Sequence, residues 1–66
     1  MSDIEKVECT VVGESDLAYQ LRDKASESRV AWFPKSQVSF ARRNRTTGES
    51  LAEIPLWLLN QKGWNA

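Results

Sequence analysis

The chain has 66 residues, enough for one domain and no more. At this length folding buries only roughly 60% of the unfolded surface, so the core is small. A single cysteine excludes an internal disulfide, and the absence of histidine removes most zinc patterns and the usual cysteine–histidine nucleophile pair. Three tryptophans, two phenylalanines and one tyrosine are left to supply the packing. The net charge is zero, but it is unevenly placed. Residues 1–28 hold seven acids and three bases, and residues 29–45 hold five bases and no acid. A neutral total argues against indiscriminate nucleic-acid binding and leaves a focused anion contact open.

Taken in chain order, Ile4 to Val12 alternates as a half-buried strand, with Val7, Cys9 and Val11 on one face. Gly13-Glu14-Ser15-Asp16 is a turn cluster. Leu17 to Arg22 alternates again, with Leu17, Tyr19 and Leu21 sharing a face, which predicts an antiparallel hairpin. A helix over 16–25, capped by Asp16, is the competing reading. Strand is preferred because Tyr19 joins Leu17 and Leu21 only at a period of two. Asp23 to Ser28 is turn-like.

Arg29 to Phe33 is apolar on both faces and predicts a central strand with Trp32 in the core. Pro34 cannot donate to a ladder, so the strand ends there. Pro34 to Gln37 fits a 3₁₀ or type I turn. Val38 to Arg43 resumes as strand, with Val38 and Phe40 inward. Asn44 to Ser50 is a loop, and Leu51 to Ile54 a short last strand. A helix follows over 55–62, with Pro55 at its first position, Gly63 as left-handed cap and Trp64 folding back.

The sum is a mainly β fold with one short C-terminal α-helix, a single domain over 1–66. The architectures expected are a Src-homology-3-like or oligonucleotide-binding-like barrel, or a twisted antiparallel sheet of four or five strands. Trp32-Phe33-Pro34-Lys35-Ser36-Gln37-Val38, then Glu53-Ile54-Pro55-Leu56-Trp57-Leu58, then Lys62-Gly63, resembles a group of small phage and prophage proteins. That group carries a Trp-x-Pro-Lys-Ser-Gln segment and an Ile-Pro-x-Trp-Leu helix ending in Lys-Gly. The resemblance covers about a quarter of the residues and implies a phage or mobile-element origin, without implying an activity. Leu56 stands where the group has an acid, which makes this helix more apolar.

Two constellations are candidates for function. Arg42, Arg43 and Arg45 with Trp57 and Trp64 form a candidate protein-binding set, because Trp and Arg are typical interface anchors. The partner would be a host protein or a second copy of the chain, as in a homodimer. Such a role suits an accessory protein of host takeover or anti-defence. The bland alternative is that both tryptophans complete the chain's own core. Lys35, Arg42, Arg43 and Arg45 with Trp32 form the second set, a single-stranded nucleic-acid binder with phosphate contacts and an aromatic platform. Its bland counterpart is a solvated strand blunted by charge. No catalytic, cofactor or metal set is legible, so the expectation is a non-enzyme without cofactor. The acidic start is unlike a signal peptide and no apolar run suits a membrane, which predicts a cytoplasmic protein.

Overall fold

A computed structural model describes residues 3–64. The chain forms five strands: β1 (Ile4–Glu14), β2 (Ala18–Asp23), β3 (Val30–Pro34), β4 (Ser39–Arg43) and β5 (Glu49–Pro55). A 3₁₀ turn (Lys35–Gln37) joins β3 to β4, and one helix, α1 (Leu56–Lys62), follows β5. All pairings are antiparallel, in the order β3-β2-β1-β5-β4. The fold is therefore mainly β with a short C-terminal helix, as the alternation in the sequence predicts. Among the described residues no helix is long and apolar enough to cross a membrane.

The sheet is strongly curled. The Tyr19 ring of β2 meets the Phe40 ring of β4 edge-on, centroids 5.0 Å apart, although β1 and β5 lie between them in the ladder. Three strand spacings in a flat sheet would span about 14 Å. The inner face therefore wraps a core of Cys9, Leu21, Phe33, Val38, Ala52 and Ile54. Leu58 and Leu59 of α1 and the following Trp64 join this core.

Several expectations need correction. β1 runs two residues beyond Val12, to Glu14, so only Ser15–Leu17 separate it from β2. Leu17 does not share the face of Tyr19 and Leu21; it is 80% exposed. The Ser15 backbone N–H donates to the Ala18 carbonyl at 2.8 Å, and the Ala18 N–H donates to the Ser15 hydroxyl at 3.1 Å, which leaves Leu17 at the turn tip outside the pleat. β3 is an edge strand, not a central one. Trp32 is 44% exposed while its neighbour Phe33 is wholly buried. The register explains this: Phe33 faces Tyr19 across the ladder and Trp32 faces Gln20, so parity sends the phenylalanine inward and the tryptophan outward.

The last correction concerns β5. It is a seven-residue strand between β1 and β4, not a short terminal one, and Ser50, Ala52 and Ile54 alternate inward along it. It ends at Pro55, which pairs with Ile4 and stands just before the helix with extended angles (φ −58°, ψ 139°) rather than at the first helical position. The helix stops at Gly63, left-handed at φ 73°. The Trp64 N–H then donates to the Leu59 carbonyl at 2.9 Å, the fold-back that a glycine cap permits.

Candidate interaction surfaces

The basic residues are sorted by two irregularities in the strands. In β1 the register with β2 slips between Val11 and Gly13, leaving Val12 as an extra residue. In β4 the register with β5 slips between Phe40 and Arg42, leaving Ala41 as an extra residue. A bulge of one residue inverts the face of everything beyond it. Glu14 therefore pairs with Tyr19, and Arg43 pairs with the buried Ser50, both on the inner side.

The two inverted residues meet there with Lys35 of the 3₁₀ turn. The Lys35 Nζ donates to Glu14 Oε2 at 2.6 Å, and Arg43 Nη2 lies 3.5 Å from Glu14 Oε1. Both cations sit over the Tyr19 ring, at 5.1 Å and 5.3 Å from its centroid, and the Arg43 guanidinium also lies 5.0 Å from the Phe40 ring. The hydrogen bond from Lys35 chiefly, with Arg43 assisting, holds the Glu14 carboxyl below the usual glutamate range. This cluster ties β1, β2, the 3₁₀ turn and β4 together.

Arg42 takes the opposite face. It sits in one row with Leu51 and Glu8, and its Nη2 is 4.0 Å from Glu8 Oε1. Arg45 stands exposed on the loop before β5. That loop is shaped by Asn44, whose side-chain oxygen accepts the Thr46 and Thr47 N–H groups at 2.9 Å and 3.2 Å. Of the basic set, Lys35 and Arg43 thus meet on Glu14, while Arg42 reaches Glu8 and Arg45 stands on the loop. Three of the four have a carboxylate partner within the chain.

A cleft of about 440 Å³ is lined by both Arg42 and Arg43, with Glu8, Lys24, Asn44 and Ser50 among its other walls. Cys9 also reaches it, but burial pushes its thiol up to about 11, so it stays protonated at neutral pH.

The tryptophans separate as well. Trp64 is 8% exposed and stacks edge-on against Phe33, ring centroids 4.9 Å apart, so it belongs to the core and shares no open face with Trp57. The Arg29 Nη1 donates to the Trp64 carbonyl at 3.5 Å and lies 3.6 Å from the buried Asp23 carboxylate, which pins this corner to β2. Trp57 is 54% exposed, next to the exposed Leu56, while Leu58 and Leu59 on the same short helix are buried. Trp32 and Val30 are exposed on the outer face of β3. Their exposure was hidden in a sequence run with no polar residue to mark a face. The one available signal was parity with Phe33.

No family model, curated protein or solved structure matches the chain.

Proposed function

We propose that this chain is a non-enzymatic, phage-type accessory protein of the cytoplasm that acts by holding another protein chain, a host protein or a second copy of itself. The observation that carries the reading is Trp57: a large aromatic, half in water beside Leu56, on a helix whose other face already fills the core. Exposed aromatics of this kind are typical anchors of protein contacts. Arg42 and Arg45 add exposed charge elsewhere on the molecule, suited to rim contacts. The buried free thiol of Cys9 is compatible with a reducing compartment.

Light scattering after size exclusion, and capture from host lysate on immobilised protein, test the reading. Association that Trp57→Ala weakens about tenfold or more supports it. A strict monomer whose captured proteins are the same for Trp57→Ala as for the unaltered chain removes it. The nucleic-acid reading retains one favourable observation, the exposed face of Trp32. It is weakened by the carboxylate partners of Lys35, Arg42 and Arg43. Steep salt dependence of oligonucleotide affinity would support it, and no binding at low salt would end it.

A further inference from the structure

Of the two sheet edges, β3 is the one left open. At the other, β4 carries the bulge at Ala41 with Arg42 and Arg43, devices that keep an edge from pairing. β3 has none of them. Its ladder with β2 runs without irregularity from Ala18↔Pro34 to Arg22↔Val30, and the strand itself contains no charged residue.

The parity of that ladder decides what the free rim offers. The Asp23 N–H donates to the Arg29 carbonyl at 2.9 Å, and the Lys35 N–H to the Leu17 carbonyl at 2.8 Å. Antiparallel bonds alternate along a strand, so Arg29, Ala31, Phe33 and Lys35 turn their backbone groups toward β2. Val30 and Trp32 turn their N–H and C=O groups away from it. Pro34 offers the rim only a carbonyl. The Val30 and Trp32 side chains, both exposed, flank this rim on the outer face.

The rim is complementary to itself. When two β3 strands pair antiparallel with Ala31 at the two-fold axis, Val30 of each copy stands opposite Trp32 of the other, and the two residues exchange both backbone bonds. Each indole then packs across the ladder on a β-branched side chain, a favourable cross-strand pair. A register with Trp32 opposite Trp32 sets Val30 against Pro34, which has no N–H to give the Val30 carbonyl. The charges permit the pairing. Arg29 and Lys35, at the two ends of β3, are each held by a carboxylate of their own chain, Asp23 and Glu14. The chain as a whole is neutral, so copies do not repel one another at a distance. A charged partner strand finds no opposite charge along β3, whereas β3 itself supplies the apolar match.

We propose that a second copy of this chain pairs along β3, with Val30 opposite Trp32, and joins the two sheets into one. The blunted β4 edges stop growth at two copies, a closed isologous pair. The surface is separate from Trp57, so the pairing and the helix reading stand or fall independently.

Sedimentation of the full chain over a range of concentrations, with amide hydrogen exchange read by NMR, tests the pairing. The chain passes from monomer to dimer and no further. The Val30 and Trp32 amides become protected as the dimer forms, while those of Ala31 and Phe33, bonded to β2 in either state, hold steady. Trp32→Lys and Val30→Lys each weaken the dimer about tenfold or more, and Trp57→Ala leaves it unchanged. Under a mild oxidant, Ala31→Cys crosslinks the dimer, because a non-hydrogen-bonded pair sets its Cα atoms about 4.5 Å apart, within disulfide range. Leu17→Cys, exposed on the turn, links far more slowly. Circular dichroism checks each variant, and exchange in the unaltered chain carries the test where a variant does not fold. A monomer at the highest soluble concentration overturns the inference, including one whose Val30 and Trp32 amides are protected only by another protein or by oligothymidine. So does assembly beyond two copies, or a dimer indifferent to both lysine variants. Val30 and Trp32 amides that exchange as fast in the dimer as in the monomer overturn it as well.

Discussion

Single residues set conditions that the rest of the fold obeys. Gly48 adopts φ +83°, and a Cβ there would stand 2.9 Å from the Val11 carbonyl oxygen; the Gly48 carbonyl in turn accepts the Val11 N–H at 2.8 Å. Gly63 has a similar φ of +73° but open space around it. Gly63→Ala should therefore cost only the left-handed conformation, about 1–2 kcal/mol. Gly48→Ala should cost more, because the loop must also retreat from β1. Chemical denaturation of the two variants ranks them, and equal losses would refute the close-approach argument. Cys9 offers a second residue-scale check. Its folded thiol titrates at about 11, above the ordinary value of 9.0, so the stability it contributes is complete below 9 and fades as pH rises toward 11. Cys9→Ala should flatten that alkaline decline, and the native thiol should resist thiol reagents at neutral pH.

At the scale of elements, the two bulges matter most. They turn Glu14 and Arg43 inward in different strands, and only then do Lys35, Arg43 and Glu14 converge over Tyr19. The Glu14 pKa is depressed, so its contribution is present above the ordinary glutamate range and is lost as pH falls through the lower folded value. Glu14→Gln should therefore reduce the acid-side fall in melting temperature, and added salt should mimic the substitution at neutral pH, since the cluster faces water. A Glu14→Gln variant with an unaltered acid limb would show that the cluster does not couple to folding. The helix is a second element-scale case. Seven residues are too few to hold a helix in water by themselves, so α1 depends on Leu58, Leu59 and the folded-back Trp64 meeting the sheet.

For the whole molecule, stability is concentrated in few contacts. A domain of this size has roughly 3–10 kcal/mol in total. Phe33 is fully buried and carries both the Trp64 ring and, at 6.0 Å, the Lys62 ammonium. Phe33→Ala should cost about 3–5 kcal/mol, enough to unfold much of the population at room temperature. Trp64→Ala should fall in the same range and release the helix, whereas Trp57→Ala should stay within about 0.5 kcal/mol, as surface changes do. Thermal melts separate these cases; a Trp57→Ala loss as large as that of Trp64→Ala would mean the helix face is part of the core.

By itself the sequence determined the β class, the hairpin of β1 and β2, the break at Pro34, the 3₁₀ turn and the helix with its glycine cap. Each is written in local chemistry: a period of two, a missing N–H, a left-handed glycine. The tertiary structure alone decided which face each apolar residue takes. Trp32 and Phe33 are adjacent and equally apolar, so only pairing with β2 could send one inward and the other to solvent. Alternation alone puts Arg42 and Arg43 on opposite faces, but only the bulge at Ala41 decides which, turning Arg43 inward to Glu14 and Arg42 outward to Glu8. Trp57 and Trp64 look alike until the turn at Gly63 carries one onto Phe33. Register and bulges are properties of pairs of strands, and no single stretch of chain encodes them.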